Sequence, residues 1–268
     1  MTTIDAYTGV PELTVSLERG VLSVTLNRPD SLNSLNAIML RTLADVLEHA
    51  ADDAAVRAVR LGGAGRGFSS GAGISAEDQS ERRPDTPDEV LQEANRAVRA
   101  IVNLPKPVVS VVHGPAAGVG VSLALACDIV LASEKAFFLL AFTKIGLMPD
   151  GGASALVAAS IGRARAMKMA LLAERISAAD AFDFGLVSEV YPADELEAGV
   201  AAVLDKLVSG PAIALRKTKQ AINAATLTEL EPAIGRESEG QLVLLGSKDF
   251  REGTRAFQEH RSPTFTDD

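Results

Sequence analysis

The chain has 268 residues, 47% of them hydrophobic, enough to bury a full core as one domain or as one domain with an appendage. A net charge of −9, with no extended basic run, argues against a nucleic-acid partner. No apolar run approaches the roughly 20 residues that span a bilayer, the first residues lack a signal-peptide pattern, and the single cysteine, Cys127, closes no internal disulfide, so the expected location is the cytoplasm, away from membranes.

Residues 12 to 18 and 21 to 27 are rich in β-formers and separated by Arg19-Gly20, which predicts a hairpin running into the turn Arg28-Pro29-Asp30. Residues 35 to 51 carry Ile38, Leu40, Leu43, Val46 and Leu47 at helical spacing, and 56 to 61 reads as a strand ahead of a Gly- and Ser-rich stretch, 62 to 73. Residues 76 to 88, polar and with two prolines, predict a mobile surface loop. Leu91, Val98 and Ile101 mark the next helix, which ends at Pro105 and Pro107.

The most informative stretch follows. A β-branched run, 107 to 112, leads through His113-Gly114-Pro115 into small residues and then an apolar helix, so backbone N–H groups near Gly118, Val119 and Gly120 lack partners inside the helix and are free for an oxygen gaining negative charge. The same stretch also fits a buried helix whose glycines only permit close packing. Two strands, about 127 to 132 and 136 to 141, a predominantly helical stretch to about 185 and a short strand at 187 to 191 come next. Beyond Pro192 the pattern is helical over about 194 to 209, 211 to 226, 229 to 246 and 248 to 260, too small a unit for its own core.

A weak internal repeat connects two of these regions. Val56-Arg-Ala-Val-Arg-Leu-Gly leads into Phe68-Ser-Ser-Gly-Ala-Gly, as Pro107-Val-Val-Ser-Val-Val-His leads into Gly114-Pro-Ala-Ala-Gly-Val-Gly. Two adjacent strands ending in comparable small-residue loops aim two backbone N–H groups at one point.

These segments, with Leu26-Asn-Arg-Pro-Asp-Ser-Leu-Asn-Ser-Leu-Asn, Gly146-Leu-Met-Pro-Asp-Gly-Gly and Asp249-Phe-Arg-Glu-Gly, resemble the enoyl-CoA hydratase/isomerase (crotonase) superfamily in consistent order from about residue 12 to 266. The resemblance implies an α/β fold: a crotonase-like ββα spiral core with the acyl-CoA site over 1–192, and a C-terminal helical trimerisation region over 193–268, in a homotrimer or a hexamer built as a dimer of trimers. It implies an acyl-CoA thioester substrate, with coenzyme A as part of the substrate and no separate cofactor. The first oxyanion donor falls on Ala72 and the second on Val119. Ser70, Gly73, Ile74, Gly118 and Phe142 fall against the substrate, with the donors Ala72 and Val119. The aspartate usual after the first donor is Gly73 here, which removes that loop's usual anchor.

The side chains depart further. The two glutamates of hydratases read Ser122 and Phe142 here, and adding water across a conjugated double bond needs one group to activate the water and another to protonate C2. Asp150 remains, at a position where some isomerases and a dehalogenase of the superfamily place a working aspartate. One base suffices to move a proton from C2 to C4 while the oxyanion hole holds the dienolate. Asp150 also fits a helix N-cap ahead of Ala153, a role that would lower its pKa. The expected function is enoyl-CoA isomerisation with Asp150 as proton shuttle, and the alternatives are an enoyl-CoA hydratase of fatty acid β-oxidation and a non-catalytic acyl-CoA-binding protein.

Other signals are weaker. Gly71-Ala-Gly-Ile-Ser-Ala76 fits a dinucleotide fingerprint but is followed by polar residues and Pro84. Gly120-Val-Ser122-Leu-Ala124 approximates a nucleophile elbow without an evident His and acid in order. None of His49, His113 and His260 has a second ligand-type residue at zinc-site spacing, which predicts no metal. His113 reads as structural, Lys144 as solvated or near CoA phosphates, and Phe257 and Phe265 as contacts to CoA or to an adjacent subunit.

Overall fold

In the computed structural model, which describes residues 7–75, 78 and 88–266, Arg19 and Gly20 take φ of 50° and 84°. They turn β1 (Leu13–Glu18) back on β2 (Val21–Leu26) as an antiparallel hairpin, with Glu18 opposite Val21. From β2 the sheet grows through parallel strands β3 (Ala58–Gly63) and β4 (Val108–Val112), then β6 (Ile129–Ser133) and β9 (Glu189–Tyr191). β4 is buried at all five residues, as expected of a β-branched strand covered on both faces.

A smaller layer runs beside this sheet. It holds β5 (Pro115–Ala117), β7 (Phe137–Leu139) and β8 (Ile176–Ser177), extended by single bridges from Ser69 to Ala116 and from Leu35 to Ala72. The chain therefore repeats one path: a strand in the large sheet, a short extended segment in the small layer, then a helix. β3, residues 69–72 and α2 (Glu89–Asn103) form one such turn, and β4, β5 and α3 (Val119–Ala126) the next. This is the ββα spiral, and it puts Ala72 and Val119 at equivalent points of successive turns.

Helix α1 (Ala37–Asp52) starts where the Asn36 side chain accepts the Met39 N–H at 2.9 Å, and it buries Met39, Leu40, Leu43, Val46 and Leu47. Ile38, expected on the apolar face, is 52% exposed, one step round the helix from the buried Met39. The helical stretch expected up to about 185 is broken. Within α4 (Ala153–Leu172) Gly162 has φ 75° and ψ 160°, Ala173 ends the helix at φ 47°, and β8 and α5 (Ala178–Phe184) follow. The last strand starts at Glu189 rather than 187, because Leu186 and Val187 hydrogen-bond back to the Ala181 carbonyl.

After β9 come α6 (Leu196–Ser209), α7 (Ala212–Thr226), α8 (Leu230–Leu245) and α9 (Lys248–Gln258). Leu196, Val200 and Leu204 of α6 cover Ala58, Val109, Val111 and Leu131 on the outer face of the large sheet. Leu230 and Ile234 of α8 enter the main core with Leu156 and Val157. No single helix among the described residues is long and apolar enough to cross a membrane.

The loop expected over 76 to 88 lies outside the described residues except at Asp78 and Asp88. Asp78 is not on the surface; it is 8% exposed, because its charge is paired with Arg28 at 2.9 Å.

Asn33 fastens the start of the spiral. Fully buried at φ 57°, it accepts the Arg28 N–H through Oδ1 at 2.9 Å and donates from Nδ2 to the carbonyls of Ala64 and Gly67, each at 2.8 Å. Its own carbonyl accepts from Ser69 Oγ at 2.8 Å. Asn33→Ala leaves three buried backbone groups without partners, and the expected cost, read from urea unfolding midpoints, is about 3 kcal/mol or more.

Candidate active site

The two small-residue loops touch. A Cβ added to Gly71 would lie 2.8 Å from the Ala117 carbonyl oxygen and 3.4 Å from Gly118 Cα, so the backbones approach to a distance that only glycine allows, and both glycines have positive φ. Leu35 bonds to both flanks of Ala72, donating its N–H to Gly71 and accepting from Gly73, which turns the Ala72 amide the other way. Val119 is the first residue of α3, where an N–H has no acceptor within the helix. Ala72 and Val119 both line a cavity of about 710 Å³, with Ser70, Gly73, Ile74, Gly118, Phe142 and Asp150.

Across this cavity lies Asp150, 7% exposed. Its Oδ2 accepts from Gln241 Nε2 at 2.7 Å, while no group among the described residues bonds to Oδ1. Burial pushes its pKa up to about 7; the Gln241 hydrogen bond opposes this and Glu237 adds to it. Asp150 is not the cap of α4. The N–H groups of Gly152 and Ser154 donate instead to Glu237 of α8, at 2.6 and 2.8 Å. The Asp150 side chain is thereby free of the α4 backbone, and the residue lines the cavity.

The residues around it explain the loop. Ser122 is fully buried and donates from Oγ to the Asp150 carbonyl at 2.9 Å, beneath Gly151. A hydroxyl so placed supports the 150–152 turn and is no exposed nucleophile. Phe142, in a 3-10 turn Phe142–Ile145, presents an apolar wall beside Gly118. Gly73 is not without an anchor, because Asp78 occupies the space a residue-73 side chain would fill. Its carboxylate accepts from Arg28 at 2.9 Å and Ser75 at 2.7 Å; burial raises its pKa, and these bonds outweigh burial to leave it lowered.

Exposed Arg66, Lys144 and Arg175 stand at the mouth, with the Arg175 guanidinium 3.7 Å from the Phe137 ring centre. Phe257 also lines the cavity, whereas His113 is engaged with the Gly65 carbonyl at 3.0 Å. Phe265 is 39% exposed and is not among the lining residues.

The family described as Enoyl-CoA hydratase/isomerase matches residues 16–268. The chain belongs to it. It is 40% identical over 252 residues to 1,2-epoxyphenylacetyl-CoA isomerase of Escherichia coli K12, covering 93% of this chain and 96% of the relative. It is 34% identical over 260 residues to 2,3-dehydroadipyl-CoA hydratase of the same organism, covering 95% and 98%. A crystal structure of an enoyl-CoA hydratase from Mycobacterium avium subsp. paratuberculosis K-10 superposes with a TM-score of 0.91 at 64% identity, covering 97% of this chain and all of the other.

For an enoyl-CoA hydratase/isomerase family member, three groups that support this site lie beyond what motif reading reaches. Glu237 and Gln241 come from α8, about 90 residues after Asp150, and Asp78 comes from a segment that reads only as polar loop. A Glu and a Gln four apart, each buried to 1%, are the one signal that could have singled out α8, and it is visible only once burial is known.

The raised Asp150 pKa has a stability consequence. The folded chain keeps the proton up to about pH 7 while the unfolded chain releases it near 3.8, so stability is lost as pH rises between these values and the deficit is complete above 7. Asp150→Asn removes that deficit. Its thermal midpoint is expected to exceed the wild type's by several degrees at pH 8, with the gap shrinking toward pH 5, as calorimetry over that range will read.

Proposed function

We propose that the protein isomerises enoyl-CoA thioesters, moving a double bond between C3 and C2 of the acyl group with Asp150 as the single proton carrier. Asp150 Oδ1 takes a proton from C2, and the electron pair of that C–H bond passes into the thioester to form a dienolate. The Ala72 and Val119 N–H groups receive the charge that develops on the thioester oxygen. Oδ1 then returns the proton to C4, so nothing is gained or lost and no further cofactor is needed.

The observation that carries this reading is the solitary, half-bonded carboxylate. Of the acidic residues lining the cavity, Asp78 is tied to Arg28 and Asp30 sits on the 3-10 turn Pro29–Ser31, leaving Asp150 with an oxygen to offer and a pKa near neutrality. A base poised near the working pH both accepts and releases a proton readily. Hydration needs a second group to handle water, and Phe142 offers none. Arg66, Lys144 and Arg175 at the mouth suit the phosphates of coenzyme A.

Incubation of the protein with a 3-enoyl-CoA, followed by absorbance of the conjugated thioester, tests this. Conjugation is expected, and Asp150→Asn is expected to lose about 100-fold or more in kcat. A 3-hydroxyacyl-CoA as the main product would show a hydratase instead, and tight ester binding without turnover a binding protein. Because the carboxylate form is the base, kcat/KM is expected to rise with pH through about 7 and then level, following the Asp150 ionisation.

A further inference from the structure

Gln241 is 1% exposed and makes three hydrogen bonds at once. Its Oε1 accepts from the Met148 N–H at 3.2 Å, and its Nε2 donates to the Met148 carbonyl at 3.0 Å and to Asp150 Oδ2 at 2.7 Å. A backbone N–H can only donate and a carbonyl only accept, so the Met148 peptide groups settle which end of the amide is oxygen and which is nitrogen. Both Nε2 hydrogens are then committed, one of them to Asp150.

Taking Asp150 as the proton carrier of the proposed reaction, we propose that Gln241 is a positioning residue that holds Oδ2 toward the protein and leaves Oδ1 as the one oxygen that carries the proton. Gln241 presents a hydrogen to Oδ2, while its oxygen is turned to the Met148 N–H. A proton on Oδ2 would compete with that hydrogen and weaken the bond, so the acid form favours its proton on Oδ1. Rotation of the carboxylate by half a turn, which would exchange the two oxygens at a freely exposed aspartate, is opposed by the Gln241 bond it must break, and the backbone that carries the side chain is held on either side. Met148 is tied to Gln241 itself, the Asp150 carbonyl is tied to Ser122, and Gly152 and Ser154 are tied to Glu237, one helical turn before Gln241 on the same face of α8. Deprotonation at C2 and reprotonation at C4 thus pass through a single fixed atom.

The charged group facing Asp150 from α8 is Glu237, itself occupied by the Gly152 and Ser154 donors, and Ser122 of α3 contributes a hydroxyl to the backbone rather than to the carboxylate. Gln241 is therefore the neutral donor whose hydrogen bond lowers the Asp150 pKa against burial. Removing it has two separable effects: the carboxyl ionises at higher pH, and its oxygens are no longer sorted.

Gln241→Met, which keeps the length of the side chain but not its donors, tests this through the carboxyl infrared band of Asp150, isolated by subtracting the Asp150→Asn spectrum, in substrate-free protein. The expected result is a titration midpoint raised by about one pH unit or more, the rising limb of kcat/KM displaced by the same amount, and kcat lowered about tenfold with KM little changed. Gln241→Glu serves if the Met variant does not fold. It retains an acceptor for the Met148 N–H, and two carboxyl groups side by side are expected to keep one proton at pH 8. An Asp150 midpoint at the wild-type value in the folded variant overturns the proposal, as does loss of a shared proton in Gln241→Glu. Wild-type protein that fails to isomerise removes the proposed reaction, whereas the titration still decides what Gln241 does to Asp150.

Discussion

A carboxyl group placed against an apolar wall stays where it is only if something grips the chain around it, and here the grip comes from α8. Glu237 takes the N–H groups that open α4, and Gln241 takes Met148 and Asp150. Leu230 and Ile234, on the same helix, sink into the main core beside Leu156 and Val157. The turn 148–154 is thus suspended from a segment near the other end of the chain. Had Asp150 capped α4 itself, its oxygens would have been consumed by the backbone, and burial would have found an acid well below neutrality rather than one pushed up to about 7.

The opposite wall brings two backbone loops together. The spiral brings successive turns into the same position with respect to the large sheet, so residue 72 of one turn and residue 119 of the next meet across the Gly71 and Gly118 contact. Amides at such points are backbone groups and need no particular side chain. What does need particular side chains is the support behind them: Asn33 between the first loops, and Asp78 with Arg28 in the room left by Gly73.

Much of the fold was legible because the spiral is written in local patterns. The hairpin at Arg19-Gly20, the apolar run of β4, the all-buried α3 and the four C-terminal helices each carry their own periodicity or punctuation. Boundaries that depend on a single backbone dihedral, at Gly162 and Ala173, were not, since a glycine inside an apolar helical pattern is compatible with continuing it. At the site, the resemblance to the family reached Ser70, Ala72, Gly73, Ile74, Gly118, Val119, Phe142 and Asp150, all of which line one cavity. It could not distinguish a cap from a free acid at Asp150. That depends on Glu237, whose partner lies more than 80 residues away and follows no local rule.

The suspension of 148–154 from α8 also sets an order of assembly. Asp150 is synthesised long before residues 237 and 241, and until those residues dock, its carboxyl is in water and behaves as an ordinary acid, ionised at neutral pH. The same docking that seals the amides of Gly152 and Ser154 drives the carboxyl toward neutrality. A raised pKa is thus a property the aspartate acquires only when the last helices fold, so a nascent or tail-damaged chain carries the residue as an ordinary ionised acid.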